Sequence, residues 1–292
     1  MEKQLFILPF DHRKSFVKDL LGCEKKPDKE QSKKISDLKQ IIYEAFLKTR
    51  AGHLDKNNFG ILVDWQFGSK IIKDAKKNCI TTCVPVEKSG QDLFDFEYGK
   101  KFGEYIKKAN PDYVKVLVRY NPENIQDNKI QLKKLKDLSV FCKKNNFKLI
   151  FELLVPPTET DLKICKNYER YDANVRPQKT AQAIKEIVKE VDVAVWKLEG
   201  AKIEQWKGII SCIKRGSKII ILGRAGSKTK VKKWLKDAIQ FKEIIGFAVG
   251  RTIFFESLKS YLSKEISREE AIDIIAKDFN YFIKTWHIQR NN

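Results

Sequence analysis

Apolar residues along the chain fall into eight short runs, and most of these runs are separated by segments in which apolar residues recur every three or four positions. Short runs rich in β-branched residues are typical of buried strands, whereas the wider spacing is typical of amphipathic helices. The strand-like runs cover residues 5–10, 59–63, 79–84, 113–118, 148–155, 193–198, 218–222 and 244–249. The predicted helices cover residues 14–21, 37–50, 69–78, 94–108, 130–145, 178–191, 203–214, 228–240 and 253–262.

This alternation predicts a parallel sheet, and eight repeats in 292 residues match an α/β fold of the (β/α)8 TIM-barrel type. An open doubly wound sheet is the alternative, but no G-x-G-x-x-G motif follows the first strand and none of the eight runs looks like an edge strand. No linker rich in Pro, Gly or Ser divides the chain, so we predict a single domain over residues 1–292. A capping box, Ser267-Arg-Glu-Glu270, predicts an extra C-terminal helix.

Two segments are predicted to be loops. Residues 22–34 are polar and of low complexity, and we expect a mobile loop there. Residues 156–175 follow the fifth strand and are long for a connection between a strand and a helix. We interpret this second loop as a lid because of its aromatic and charged residues, which are Tyr168, Glu169, Arg170, Tyr171 and Asp172.

The formal net charge of +20, from 58 Lys and Arg residues against 38 Asp and Glu residues, indicates an anionic partner of some kind. The excess is mostly lysine, spread along the predicted helices as Lys-Lys pairs, without an RNP-like aromatic motif or a recognition-helix pattern. We therefore interpret the charge as solvated helix faces and do not expect nucleic acid to be the partner. The sequence leaves open whether the protein forms a homo-oligomer.

Several features favour a cytoplasmic location. No apolar run approaches the roughly 20 residues of a membrane-spanning helix, and the N-terminal residues carry charges without a signal-peptide cleavage site. The six cysteines include no C-x-x-C pair and are expected to be buried, reduced thiols. Three histidines are few for a metal site, so we predict neither a metal nor a cofactor.

Three ionisable residues lie inside predicted strands rather than at their ends. They are Lys115, Glu152 and Lys197, on the fourth, fifth and sixth strands. Adjacent strands are about 4.8 Å apart, so the three side chains could meet if all of them point into the barrel. Fully buried Lys and Glu are rare unless they are paired.

Such a group has two interpretations. It could be an ion network that merely stabilises the core, or it could be a Schiff-base site. In a Schiff-base site one lysine must be neutral to attack a ketone, and a nearby cation and a low dielectric both lower the pKa of an amine. A carboxylate between two lysines can carry protons while the carbinolamine forms and loses water.

Two arginines next to glycines follow the seventh and eighth strands. The first group contains Gly223, Arg224 and Gly226, and the second contains Gly250 and Arg251. Small residues let backbone N–H groups approach a phosphate, arginine can bind it through two hydrogen bonds, and these loops are the usual phosphate position in a TIM barrel. The alternative is that the glycines form tight turns and the arginines form surface ion pairs.

Asp11 follows the first strand and Asp64 follows the second, so both should face the same mouth of the barrel. Asp11 is the better candidate for a polar catalytic or hydroxyl-binding role. Either aspartate could instead cap the next helix. His12 is interpreted as a loop residue rather than a metal ligand.

Six motifs, taken together, resemble those of a known family. They are Phe10-Asp-His-Arg13, Val114-Lys-Val-Leu117, Phe151-Glu-Leu-Leu-Val-Pro156, Val195-Trp-Lys-Leu-Glu-Gly200, Ile221-Leu-Gly-Arg224 and Gly246-Phe-Ala-Val-Gly-Arg-Thr-Ile-Phe254. The chain resembles the aldolase-like domain that is fused behind a sugar kinase in bacterial inositol catabolism and associated with 2-deoxy-5-keto-gluconate 6-phosphate aldolase. More distantly, it resembles class I tagatose-bisphosphate aldolase.

The resemblance implies a metal-independent (β/α)8 class I aldolase that cleaves or forms a C–C bond in a phosphorylated keto sugar. By motif match Lys197 would form the Schiff base, Glu152 would be the acid and base, and Lys115 and Asp11 would be its polar partners. Arg251, Gly250 and the Gly223–Arg224 loop would bind phosphate. Two alternatives stay open: a sugar-phosphate isomerase or epimerase with Glu152 as its base, and a non-catalytic barrel that binds nucleic acid or another anion.

Overall fold

Eight parallel strands close into a barrel in the computed structural model, which describes residues 4–290. Each strand pairs with the next in chain order, and the eighth pairs with the first, which confirms the predicted (β/α)8 fold. The strands are β1 (Leu5–Pro9), β2 (Phe59–Leu62), β3 (Thr81–Pro85), β4 (Tyr113–Arg119), β5 (Lys148–Leu154), β6 (Val195–Leu198), β7 (Lys218–Leu222) and β8 (Ile244–Ala248).

Helices surround the barrel. They are α1 (Lys14–Leu21), α2 (Lys29–Ala51), α3 (Trp65–Lys77), α4 (Phe102–Ala109), α5 (Ile125–Lys144), α6 (Glu159–Cys165), α7 (Tyr168–Asn174), α8 (Arg176–Ile187), α9 (Ile203–Ile210), α10 (Lys228–Ala238), α11 (Arg251–Leu262) and α12 (Arg268–Arg290). None of the helices in the described part of the chain has the length and apolar character to span a membrane.

Successive side chains along each strand point alternately into the barrel and out toward the helices, and both sides are apolar cores. Ile150 and Val195 lie inside the barrel, in a small apolar cluster that fills its lower part. Phe151 and Trp196, one position further along each strand, point outward into the large core between sheet and helices. Because side chains alternate, every second residue of β4, β5 and β6 faces the interior.

The predicted C-terminal helix is confirmed as α12. The backbone N–H of Ser267 donates to the Glu270 carboxylate at 2.7 Å, and the Glu270 N–H donates to Ser267 Oγ at 3.2 Å, so the capping box is formed. The helix packs against α2, α10 and α11. Its buried aromatic face reaches the outer side of the barrel, where Trp286 contacts Phe6 edge to face.

Three predicted segments differ in the structure. The loop predicted at residues 22–34 is helical from Lys29, because Asp28 accepts a hydrogen bond from the Gln31 backbone at 2.8 Å and caps α2. The helix predicted at 94–108 begins as a 3-10 turn at Gly99–Lys101 and is α-helical only in α4, because Phe96 instead pairs with Glu87 as an isolated antiparallel bridge. Residues 156–175 hold two short helices, α6 and α7.

The cysteines are all free thiols, but the expectation that all of them are buried is wrong for two. Cys79 is exposed, in a left-handed turn at the end of α3 (φ 52°), and Cys23 is partly exposed. The buried thiols are Cys83, Cys142, Cys165 and Cys212.

Candidate active site

Three charged side chains meet inside the barrel, those of Lys115 on β4, Glu152 on β5 and Lys197 on β6. Glu152 and Lys197 are register partners on adjacent strands, one interior layer above Ile150 and Val195. Glu152 Oε1 lies 2.8 Å from Lys197 Nζ, and its other oxygen, Oε2, lies 3.0 Å from Lys115 Nζ. One carboxylate therefore bridges two amino groups.

Lys115 also binds two further carboxylates. Its Nζ donates to Asp11 Oδ2 at 2.9 Å and to Glu87 Oε1 at 2.7 Å. All of these groups are almost fully buried. The structure thus brings together Asp11, Lys115, Glu152 and Lys197, which sequence reasoning named, and adds Glu87, which it did not.

The buried charged groups of this cluster shift one another's pKa values. Burial opposes ionisation of Asp11 and Glu152, but the positive charges of Lys115 and Lys197 outweigh it and hold the pKa of each carboxyl below its usual value. Burial likewise opposes protonation of Lys115, yet the three carboxylates raise its pKa well above normal. Lys115 is therefore a permanent cation between ionised Asp11 and Glu152.

Glu87 differs from the other two carboxyl groups. Burial raises its pKa, and Lys115 offsets this only in part. Its second oxygen, Oε2, is buried and has no hydrogen-bond partner in the described structure. Two carboxyl groups whose pKa values are pushed in opposite directions are typical of an acid and base pair.

Two buried cations hold the segment after β1 in place. Arg13 Nη1 binds Glu97 at 2.8 Å, and its other terminal nitrogen donates to the Glu87 carbonyl oxygen. Lys39 Nζ from α2 donates to the carbonyl oxygens of Phe10 at 2.8 Å and His12 at 3.1 Å, and it also pairs with an aspartate that follows β2.

That aspartate is Asp64, which sequence reasoning also placed at the mouth. Its side chain accepts a hydrogen bond from the Phe67 backbone at 2.9 Å and so caps α3. Asp64 therefore caps a helix, which was the alternative considered for both aspartates, whereas Asp11 contacts Lys115. Burial lowers the pKa of neighbouring His12 to about 4, so this imidazole is neutral at pH 7.

A cavity of about 430 Å³ opens above the cluster, at the ends where the strands lead into the following loops. It could hold a molecule the size of a sugar phosphate. Its lining residues are Asp11, His12, Arg13, Lys14, Ser15, Lys18, Glu87, Lys88, Ser89, Gly90, Gln91, Asp92, Phe94, Lys115, Leu117, Arg119, Glu152 and Lys197.

Arg251 and Gly250 lie at the start of α11, outside the described lining of this cavity. Arg251 Nη1 pairs with Asp19 at 2.8 Å, and its guanidinium lies 4.3 Å from the centre of the Phe255 ring. Gly250 packs so closely on β1 that a Cβ there would lie 2.2 Å from the Pro9 carbonyl oxygen. Only glycine fits at this position.

Gly223 and Arg224 form a tight turn after β7, also outside that lining. The backbone N–H of Gly226 donates to the Gly223 carbonyl at 2.8 Å, and Thr252 Oγ1 donates to the Gly226 carbonyl at 2.8 Å. The turn therefore touches the start of α11. The Arg224 guanidinium binds Glu199 at 2.6 Å and an aspartate of α7, Asp172, at 2.9 Å.

A closed eight-stranded barrel with ionisable groups at the carboxyl ends of its strands defines the chain as a TIM-barrel protein, a class that is commonly enzymatic. More particularly, the chain belongs to the family described as "Uncharacterized protein conserved in bacteria (DUF2090)", whose model matches residues 1–290. Among solved structures it is similar to Cgl0159 from Corynebacterium glutamicum (Brevibacterium flavum), with a TM-score of 0.57 and 14% identity over 96% of this chain and 87% of that one. This similarity concerns the fold alone. No curated protein matches the chain significantly.

Proposed function

We propose that the protein is a class I aldolase that cleaves or forms a C–C bond in a phosphorylated keto sugar through a Schiff base on Lys197. The observation that carries this proposal is the position of Glu152, whose two oxygens contact Lys197 Nζ at 2.8 Å and Lys115 Nζ at 3.0 Å. A carboxylate held by a permanent cation can exchange protons with the second amine without leaving its place.

The proposed chemistry begins when the Lys197 ammonium passes one proton to Glu152, which lies within hydrogen-bond distance, and the neutral amine attacks the substrate ketone. The ketone oxygen takes that proton from Glu152 and becomes the carbinolamine hydroxyl. Glu152 then accepts a second proton from the attacking nitrogen and delivers it to this hydroxyl, which leaves as water and gives an iminium. The iminium withdraws electrons from the bond between the third and fourth carbons. When a base takes the proton of the C4 hydroxyl, that bond breaks to give an enamine on Lys197 and a free aldehyde.

Glu152 is the base that we assign to the cleavage step, with Asp11 beside it. Lys115 keeps both groups ionised and fixes their positions. The raised pKa of Glu87 and its unpartnered oxygen make it the acid that we assign to protonation of the enamine before the second product leaves. Hydrolysis of the resulting iminium returns Lys197 to its starting state.

We assign the substrate phosphate to Arg251 with the backbone of Gly250, Gly223 and Arg224. The turn after β7 touches the start of α11, so these groups form one continuous surface. Phosphate would compete with Asp19 for the Arg251 guanidinium, which is already fixed against the Phe255 ring. Binding of this kind is equally strong in the ground and transition states and mainly lowers KM.

Borohydride trapping tests the proposal. The protein would be incubated with a panel of ketose phosphates that includes 2-deoxy-5-keto-gluconate 6-phosphate, reduced, digested and analysed by mass spectrometry. We expect a stable adduct on Lys197 and none in a Lys197→Arg variant. The matched control is Lys134→Arg, which alters a lysine on the outer face of α5.

Two results would contradict the aldolase proposal. Isomerised or epimerised product without an adduct on any lysine would assign the site to an isomerase or epimerase that uses Glu152 as its base. No reaction with any sugar phosphate, together with nucleic-acid binding whose logarithm falls linearly with the logarithm of salt concentration, would assign the chain to a binding protein.

A further inference from the structure

The interior face of β4 runs from the catalytic cluster to the rim of the cavity. Lys115, Leu117 and Arg119 occupy alternate positions of this strand and all three line the cavity. At about 3.3 Å per residue, Arg119 lies roughly 13 Å along the strand from Lys115. The cavity therefore has a floor of carboxylates and amines and a rim that ends in a guanidinium.

Arg119 is an unusual arginine within this cavity. Arg13, the other arginine of the lining, is neutralised by Glu97. Arg119 has no carboxylate partner within residues 4–290, and its Nη1 donates only to the backbone carbonyl of Gln91, at 2.8 Å. That contact fixes the guanidinium and leaves its charge and its remaining donors for a ligand.

The loop after β3 completes the rim. Ser89 Oγ accepts a hydrogen bond from the Lys14 backbone at 3.1 Å, which joins this loop to the start of α1. Lys88 and Lys14 are exposed on the same side of the cavity, and the Lys88 amine lies 3.3 Å from Asp95. Exposed Asp92 is the acidic residue of the rim, whereas the other carboxylates of the lining lie on the floor.

We propose that Arg119, with the Ser89–Gly90 loop and Lys88, binds a terminal anionic group of the ligand that enters the cavity. The ligand chemistry is a carboxylate or a phosphate at the end of a polyhydroxylated chain. This inference rests on the proposed function only for the keto-sugar part of the ligand. The rim is separate from the arginines after β7 and β8, which lie outside the described lining of the cavity.

Two direct arguments favour an anion here. A partly buried guanidinium without a counter-charge gains more from an anion than a solvated one does, because the surrounding protein screens the attraction less than water. The geometry also matches a single elongated ligand, because a carbonyl carbon beside Lys197 and an anionic end beside Arg119 would lie at the two ends of one cavity.

Isothermal titration calorimetry tests the subsite with two probes, inorganic phosphate and glycolate. An Arg251→Gln background removes the principal cation of the other assigned anion site. In this background we expect one probe to bind, and a further Arg119→Gln change to weaken its binding at least about tenfold, because a charge-assisted hydrogen bond is lost. Adding Arg119→Lys should preserve part of the affinity.

The matched control adds Arg215→Gln, an arginine exposed near the opposite end of the barrel, and should change affinity less than about twofold. Loss of phosphate binding alone would identify a phosphate end, and loss of glycolate binding alone would identify a carboxylate end. The subsite is refuted if neither probe binds the Arg251→Gln protein, or if the Arg119→Gln and Arg215→Gln changes weaken binding equally.

The outcome is independent of the Schiff-base chemistry. A Lys197→Gln variant cannot form an imine but should bind the probe as tightly as its parent, because Lys197 lies on the floor of the cavity. If borohydride trapping fails while Arg119 still controls anion affinity, the aldolase proposal falls and the subsite stands. If trapping succeeds while Arg119→Gln has no effect on either probe, the reverse holds.

Discussion

Glu152 and Lys197 face each other across two adjacent parallel strands, with the carboxylate oxygen 2.8 Å from the amine nitrogen. They are register partners, so the distance is set by strand pairing rather than by flexible loops. The second Glu152 oxygen is held by Lys115 at 3.0 Å. This arrangement fixes both ends of the carboxylate before any ligand arrives, which is what proton transfer at a fixed geometry requires.

The first prediction concerns Glu152→Gln. An amide cannot accept the proton of Lys197, so the rate of borohydride-trappable adduct formation should fall by a factor of about 10² to 10⁴. The matched control is Glu190→Gln, which breaks an exposed pair with Lys136 and should leave the rate unchanged. Rapid-quench mass spectrometry measures the rate. An adduct that forms as fast in Glu152→Gln as in the native protein contradicts the assigned role.

The second prediction concerns Lys115→Met, which removes the cation that Asp11, Glu87 and Glu152 share. Buried carboxylates without a cation are costly, so unfolding free energy at pH 8 should fall by about 3–5 kcal/mol. The loss should be smaller at pH 5. Without Lys115 the carboxyl pKa values rise above their unfolded values, so the folded state binds more protons and stability falls as pH rises.

Urea unfolding at the two pH values measures this effect. Lys134→Met is the matched control, because its lysine pairs with Asp95 at 2.8 Å on the surface, with both side chains more than a third exposed. It should cost less than about 1 kcal/mol at either pH. A Lys115→Met protein that loses equal stability at pH 5 and pH 8 would show that the carboxylates are not what destabilises it.

The fold and the lysines of the site could be predicted from the hydrophobic pattern of the chain. Strands read as apolar runs, and a lysine or glutamate inside such a run stands out, as Lys115 and Lys197 do. Glu87 was missed because it follows the apolar run of β3, where carboxylates are also common as helix caps. Its position immediately after Pro85-Val86, beside the strand end, was the available signal.

Contacts between residues far apart in sequence could not be predicted. Arg224 and Asp172 are separated by 52 positions, and nothing in either local sequence indicates that they pair. The start of α2 was missed for a different reason. The Asp28–Gln31 capping box lies within a polar stretch of low complexity, where the apolar period that marks a helix begins only at Ile35.

The third prediction uses His12, whose pKa burial lowers to about 4 from 6.5. Between these values the unfolded chain binds the proton and the folded protein does not, so this residue destabilises the fold as pH falls from 6.5 to 4. The contribution is about 3 kcal/mol at most. His12→Gln should therefore make unfolding free energy less dependent on pH in this range, as measured by urea titrations at half-unit steps. An unchanged pH dependence contradicts it.

The fourth prediction compares two glycines on either side of the start of α9. A Cβ at Gly200 would lie 1.9 Å from Trp234 Cγ, whereas a Cβ at Gly208, exposed in α9, would meet nothing within 4 Å. Gly200→Ala should therefore cost at least about 1–3 kcal/mol of unfolding free energy, because the core must shift to admit the methyl group. Gly208→Ala should instead add about 0.5–1 kcal/mol, because alanine loses less backbone entropy in a helix.

A double-mutant cycle with Trp234→Gly assigns the cost of Gly200→Ala to this one contact. Glycine at position 234 lacks the Cβ, Cγ and Cδ1 atoms that a Cβ at Gly200 would meet, so Gly200→Ala should cost much less in the Trp234→Gly background than in the native one. Gly200 also accepts a hydrogen bond from Arg176 at 2.8 Å and closely follows Lys197, so the shifted chain should slow adduct formation as well. Equal costs in the two backgrounds would mean that Trp234 is not the obstacle, and that the backbone after β6 itself requires glycine.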